Sequence, residues 1–375
     1  MKPMNGCNTD MRDNDLAYRH GGAPAVDLER FALPDQPILD FSVNLNFLGP
    51  PAVVRENWKA LFQAIEEYPP VEGDGVAHYY QEKFNVAPQN FLAGNGSTEM
   101  IYLAPRVLRP KNAVVVVPSY HDYERASILA GAKISRYPLA PDKRFSHSDE
   151  KALIRMLEHA DAFWLGRPNN PTGGLLPKQV VLDLSERFPH TQFIIDEAFI
   201  QFVDNWEQES FLTHEWKPNI LIIHSITKFY ALAGIRLGGI LGHENLVQRL
   251  RQAKEPWTVN GIADTIAPLL LHCADYEQET IMANAAERDR MFDRLGTVEG
   301  ITAFRPTANF ILCQWTRTHT LDHLLHHLLS NGMYVRDCRN FPGLEANFFR
   351  VGLRGPVEND QLISILSSFP DSLYS

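Results

Sequence analysis

The chain has 375 residues, 45% of them apolar and 21% charged. That is the balance of a globular protein long enough for two or three domains and for a core that needs no staples. Lys and Arg number 35 against 45 Asp and Glu, a formal charge of −10, which argues against a broad surface for nucleic acid or anionic membrane but allows a local cationic pocket. Cys7, Cys273, Cys313 and Cys338 have neither metal-ligand nor redox spacing and read as thiols in a reducing compartment. The polar opening Met1–Asp15 lacks the apolar core of a secretory signal. Runs such as Ala113–Val117 and Ile220–Ile223 fall far short of the ~20 residues that span a bilayer. A soluble, cytoplasmic protein is expected.

The first 50 residues are rich in turn formers, as in His20-Gly21-Gly22-Ala23-Pro24 and Leu48-Gly49-Pro50-Pro51, and read as an extended arm. A helix over Val53–Glu67 stops before Pro69-Pro70. Periodicity then predicts helices over Ser97–Leu108, Asp122–Ala130, Asp149–His159 and Lys178–Arg187. It predicts strands over Ala113–Val117, Lys133–Tyr137, Ala162–Leu165, Gln192–Ile195, Ile220–His224 and Leu237–Leu241. Short apolar strands alternating with helices indicate an α/β fold with a mostly parallel sheet covered on both faces, whose ligands bind beyond the carboxyl ends of the strands. Helices over Ala263–His272 and Asp275–Leu295 close this region. After Gly300 come strands over Asn309–Gln314, Tyr334–Arg336 and Asn347–Val351 and helices over Leu321–Leu329 and Asn359–Ser368. The chain is therefore divided into an arm (1–52), a large domain (53–299) and a small α+β domain (300–375) that shares the arm, with the active site between them.

Four strand-end segments could carry chemistry. Asp196-Glu197 ends an apolar strand, and Ser225-Ile226-Thr227-Lys228 ends another in hydroxyls and a lysine. Gly94-Asn95-Gly96-Ser97-Thr98 opens a helix, where backbone N–H groups and the helix dipole make an anion site. Arg167-Pro168-Asn169-Asn170-Pro171-Thr172-Gly173 is a turn-rich loop after a strand. Singly, each has a bland reading as a cap, a solvated lysine or a turn.

Together and in this order, with Gly234-Ile235-Arg236-Leu237-Gly238 behind the lysine, they resemble the fold-type-I, aspartate-aminotransferase-like superfamily of pyridoxal-phosphate (PLP) enzymes. The resemblance runs from about His20 to the C-terminus and implies a large domain with a mostly parallel seven-stranded sheet between helices. It implies PLP as cofactor, with Lys228 as the amine that condenses with its aldehyde, Asp196 on the ring nitrogen, Asn170 on the ring hydroxyl oxygen and Tyr120 stacked on the ring. Gly96, Ser97, Thr98, Ser225, Thr227 and Arg236 would hold the cofactor phosphate. Tyr68 would reach that phosphate from the other subunit of a homodimer with shared active sites.

Phe199 follows Asp196-Glu197-Ala198 where most aminotransferases have tyrosine. That residue and the opening His20-Gly21-Gly22 with Asp40-Phe41-Ser42-Val43-Asn44-Leu45-Asn46 look like the branch of L-threonine-O-3-phosphate decarboxylases of cobamide synthesis, relatives of histidinol-phosphate aminotransferases. Phe47 departs from the proline commoner there. The resemblance implies a small phosphorylated amino acid as substrate, phosphothreonine or phosphoserine, since one methyl is worth only about 1–3 kcal/mol of discrimination. Arg350 would bind the substrate carboxylate as a bidentate fork, with Arg354 a second cation and His20, Gly21 and Asn44 on the substrate phosphate. Two rivals remain: an aminotransferase acting on histidinol phosphate or a similar amine, and a non-catalytic PLP-binding regulator. His323, His326 and His327 sit on a leucine-rich amphipathic helix and read as a polar face, with no metal expected. Glu66, Glu67, Arg249 and Arg251 likewise read as helix surface.

Overall fold

The computed structural model describes residues 20–147, 149–212 and 216–370, so Cys7 and the Met1–Asp15 opening lie outside the described residues. In chain order the strands are β1 (Leu39–Asp40), β2 (Phe91–Asn95), β3 (Asn112–Val117), β4 (Lys133–Pro138), β5 (Ala162–Gly166), β6 (Gln192–Asp196), β7 (Ile220–Ser225), β8 (Leu237–Gly242), β9 (Ile301–Ala303), β10 (Phe310–Trp315), β11 (Met333–Tyr334), β12 (Arg336–Asp337) and β13 (Phe348–Gly352).

The central sheet has seven strands in the order β2-β8-β7-β6-β5-β3-β4. Strands β7, β6, β5, β3 and β4 pair in parallel. β8 runs against both of its neighbours, β7 and β2, so it alone is reversed. The inner parallel strands β3, β5, β6 and β7 are buried on both faces, which is why they are nearly continuous apolar residues, whereas the edge strand β4 is mostly exposed. Two apolar clusters cover the two faces of this sheet: one contains Phe163, Ile195 and Ile222, the other Trp164, Ile194 and Ile223, as alternation along each strand requires.

The C-terminal unit is a four-stranded antiparallel sheet, order β12-β13-β10-β9, whose core includes Trp315, Leu324, Phe349 and Val351. The arm packs on it. β1 pairs in parallel with β11, Gly352 N–H donates to the Phe41 carbonyl at 2.7 Å, and Phe41 is fully buried in that core. The arm is less irregular than its turn formers imply, since Pro24–Arg30 is a helix whose Leu28 packs with Leu329 and Tyr334.

Other differences have local causes. The helix read over Val53–Glu67 breaks into Ala52–Glu56, Trp58–Leu61 and a 3₁₀ turn Phe62–Ile65; at the break Asn57 turns its side-chain amide back to the Val53 carbonyl at 2.8 Å. The strand read over Tyr334–Arg336 is two strands in two sheets, Tyr334 pairing with Asp40 and Arg336 with Arg350. Cys273, Cys313 and Cys338 are buried and unpaired. No helix among the described residues is long and apolar enough to cross a membrane.

Candidate active site

The carboxyl ends of β5, β6 and β7 open into a cleft that the arm, β12 and β13 close from the other side. Asp196 is the last residue of β6. Its Oδ1 accepts from the Ala198 N–H at 2.9 Å and its Oδ2 from the Tyr123 hydroxyl at 2.8 Å. Burial pushes its pKa up, while those two bonds and Lys228 pull the other way. Lys228 follows β7 and lines the same cleft. Burial first, then Arg236 and Arg350, bring its ammonium down from 10.5 to about 8, with Asp196 opposing.

One end of the cleft is an anion cradle. The helix Gly96–Leu108 begins there, so its first N–H groups lack intrahelical partners. Ser97, Thr98, Ser225, Thr227 and Arg236 line it. Arg236 Nη2 donates to Thr98 Oγ1 at 3.3 Å, and the Ser225 and Thr227 hydroxyls are 2.7 Å apart. Gly96 has φ of 71°, and a Cβ there would come within 2.8 Å of the Arg236 guanidinium. Hydroxyls, helix N–H groups and a guanidinium folded against a bare α-carbon form a donor set suited to a phosphate monoester.

The other end gathers Arg350, Arg336 and the arm. Arg350 lies on β13, with one Nη donating to Asn170 Oδ1 and the other to the Ser42 carbonyl at 2.6 Å. Burial brings its pKa down to about 10. Arg336 is its cross-strand partner, donating to Asn340 Oδ1 at 2.8 Å over the Phe341 ring. From the arm come His20, Gly21, Ser42, Val43 and Asn44. A Cβ on Gly21 would meet the Ser42 carbonyl oxygen at 2.5 Å, and the buried Asn44 Oδ1 meets no protein partner. His20 lies 3.8 Å from Asp122 and beside the Tyr120 and His121 rings. Burial lowers the pKa of His20, and that of His121 to about 4, with Asp122 opposing in both.

Of the residues singled out from sequence, Lys228, Asp196, Asn170, Tyr120, Ser97, Thr98, Ser225, Thr227, Arg236, His20, Gly21, Asn44 and Arg350 line this cleft, and Gly96 abuts Arg236. Two do not. Arg354 turns away from the cleft lining, to Glu358 at 2.7 Å and the Asp40 carbonyl at 3.2 Å. Tyr68 is 87% exposed, its ring 5.5 Å from that of Trp257. Phe47 packs against the core of the C-terminal unit instead of lining the cleft. Sequence reading missed Arg336, His121, Tyr123, Val43 and Phe341.

His20, His121 and Asp122 form the single group of three metal-capable side chains among the described residues, with ligand atoms within 4.8 Å of one another. His323, His326 and His327 are half-buried, not a fully solvated face: His326 meets the Phe31 ring edge-on and His327 Nε2 lies 3.1 Å from the Ile365 carbonyl.

Comparison with known proteins agrees with this architecture. The family described as aminotransferase class I and II matches residues 36–366. The threonine-phosphate decarboxylase of Salmonella typhimurium is 32% identical over 337 residues, 89% of this chain and 91% of that protein. The crystal structure of the histidinol-phosphate aminotransferase from Clostridium acetobutylicum superposes with a TM-score of 0.81 at 28% identity, covering 88% of this chain and 98% of that one. L-Threonine-O-3-phosphate decarboxylase from Porphyromonas gingivalis shares the fold, with a TM-score of 0.79 at 22% identity and the same coverage of 88% and 98%. The chain belongs to the class I and II aminotransferase family and has its fold-type-I α/β architecture.

Proposed function

We propose that this protein is a PLP-dependent decarboxylase of an O-phospho-L-amino acid. It would convert L-threonine O-3-phosphate to (R)-1-aminopropan-2-yl phosphate, or L-serine O-phosphate to ethanolamine phosphate, for the linker of the cobamide nucleotide loop. The observation that carries this reading is two separate cationic groupings around one lysine of lowered pKa. Arg236 with the Gly96 turn suits the cofactor phosphate, and the Arg336–Arg350 pair suits a substrate with two anions. The likeness to the Salmonella decarboxylase over nine-tenths of both chains supports the same branch.

When bound, PLP supplies an electron sink for the bond broken at the substrate Cα. The chain does the rest. Lys228, with a pKa near 8, would have both forms available near neutral pH: the neutral amine to hold an aldehyde carbon, and the ammonium to return a proton to Cα. Asp196 would hold a proton on the ring nitrogen, and Tyr120 would cover the ring. Because Arg350 occupies Asn170 Oδ1, the Asn170 amide N–H groups are left to donate to the ring hydroxyl oxygen. Arg350 would take the substrate carboxylate, and Arg336, His20, Gly21 and Asn44 the substrate phosphate. Which Cα bond breaks depends on how the substrate is held, so the residues that orient its two anions select decarboxylation over transamination.

Trp58, Phe62, Ile65, Tyr68, Val71 and Trp257 are large exposed apolar side chains, and the first lies beside an apolar groove lined by Pro50, Val54 and Leu232–Ile235. We read this face as the interface of a cytoplasmic homodimer in which Tyr68 reaches the cofactor phosphate of the other subunit.

The test is release of CO₂ from phosphothreonine and phosphoserine without an added keto acid, compared with their unphosphorylated parents. Turnover that requires 2-oxoglutarate and forms glutamate would replace this reading with an aminotransferase. Bound PLP without turnover on any of these substrates would point to a regulator.

A further inference from the structure

The acid that follows Asp196 has no place in the cleft. Glu197 is fully buried, and so is Arg167, the first residue after β5; their side chains are 0% exposed on both sides and 2.7 Å apart. Burying two charges is costly unless every lone pair and proton finds a partner. Here they do. Arg167 donates from Nε to the Leu176 carbonyl at 2.6 Å, from Nη1 to Glu197 Oε1 and the Glu209 carbonyl, and from Nη2 to Glu209 Oε2 at 2.7 Å. Glu197 also accepts from the Ser210 hydroxyl at 2.8 Å and the Phe211 N–H at 3.1 Å.

The pair joins two loops that carry cleft residues. The Arg167 N–H donates to the Asp196 carbonyl at 2.7 Å, and the Glu197 N–H to the Ile223 carbonyl at 2.8 Å. Arg167 lies three residues before Asn170, and Glu197 directly follows Asp196. Backbone bonds alone would hold β5 beside β6 without defining the turns beyond them. A planar guanidinium between two carboxylates and two carbonyls defines those turns, because its donors form a rigid fork.

We propose that Arg167 and Glu197 are a positioning pair that sets Asn170 against Asp196 from behind the cleft. This rests on the reading that those two side chains hold the cofactor ring.

Three variants test it: Glu197→Gln, Arg167→Lys, and the double variant Arg167→Met/Glu197→Leu, which replaces the fully buried pair with apolar groups of similar volume and leaves only the partly exposed Glu209 carboxylate without its guanidinium. PLP affinity is measured by quenching of intrinsic fluorescence, and the placement of the bound ring by circular dichroism in its visible band. Thermal melting of the cofactor-free proteins reports the fold. The expected result is a double variant that melts within a few degrees of the parent yet binds PLP at least tenfold more weakly with an altered visible dichroic band. Arg167→Lys, which keeps the charge but not the fork, should fall between parent and double variant. A folded double variant with parental affinity and an unchanged band overturns the proposal. If the double variant does not fold, the two single variants decide: parental affinity and dichroism in both overturn it, and graded loss in both supports it. A parent chain that binds no PLP sinks the cofactor reading, and the pair's role with it; a parent that binds while all variants bind equally well sinks the pair alone.

Discussion

The Tyr123 hydroxyl donates to Asp196 Oδ2 at 2.8 Å, buried in the wall of the cleft. Burial raises the pKa of Asp196, and this bond is one of the two that oppose the rise and favour the carboxylate. The proposed task of Asp196, holding a proton on a ring nitrogen, requires that form. Tyr123→Phe removes a hydrogen bond to a charged group, worth about 1.5–3 kcal/mol. PLP affinity should fall by roughly tenfold or more, measured by fluorescence titration, while the melting temperature changes little. Unchanged affinity would mean that the Ala198 N–H suffices.

Lys228 supplies a pH dependence. Its pKa of about 8 lies below the ordinary 10.5, so the fraction of neutral amine rises with pH through about 8. Trapping of Lys228 by an aldehyde and borohydride in cofactor-free protein should follow that midpoint. Arg236→Gln and Arg350→Gln each remove a cation that disfavours the ammonium, and each should move the midpoint up. Asp196→Asn should move it down. A midpoint near 10.5 in the parent would refute the buried, cation-flanked environment.

The two arginines at the far end separate by substrate. Arg336→Gln should raise KM for phosphorylated substrates by roughly 10- to 100-fold, the loss of one charged hydrogen-bonding group, and leave any activity on unphosphorylated parents nearly unchanged. Arg350→Gln should damage both. Arg354→Gln should alter neither, because Arg354 serves Glu358 and the arm backbone, and such a half-exposed pair contributes only about 0–1 kcal/mol to stability.

Gly96→Ala adds one carbon in two unfavourable ways. The left-handed backbone, φ of 71°, costs a non-glycine residue roughly 1–2 kcal/mol, and the new methyl would displace the Arg236 guanidinium. PLP affinity should fall far more than stability, and added inorganic phosphate should lose its competition with PLP. Parental affinity in this variant would show that the cradle does not hold the phosphate.

Much of this site was legible because its groups sit at strand ends, where short apolar runs announce the boundary. Asp196 follows Phe193-Ile194-Ile195, and Lys228 follows Leu221-Ile222-Ile223 by a few residues. Arg336 was hidden by its surroundings: Arg336, Asp337, Cys338 and Arg339 offer two arginines, and only the fold sends Arg339 to Asp337 and Asp322 and Arg336 to the cleft. Arg354 misled for the converse reason, since its i+4 partner Glu358 captures it. Strand β2 escaped notice because Gly94 and Asn95 are poor strand formers. The helix Asp74–Phe84 was overlooked although Val76, Tyr79, Tyr80 and Phe84 bury one face at helical spacing, because its Gly-Asp-Gly opening reads as a turn.

The reversal of β8 has a consequence for how this site could change. A parallel neighbour would need a crossover to re-enter the sheet at its opposite edge. An antiparallel one lets the chain turn straight back, so Lys228 and Arg236 share the span 226–236, whose two ends are fixed by pairing of Ser225 with Gly238. The Lys228 amine and the guanidinium that faces the cradle thus hang from one short connection, like two jaws cast in one piece. Residues that would meet the substrate come from elsewhere, from the arm and from β12 and β13. New substrate preferences can be tried on those outer elements while the inner span is left untouched.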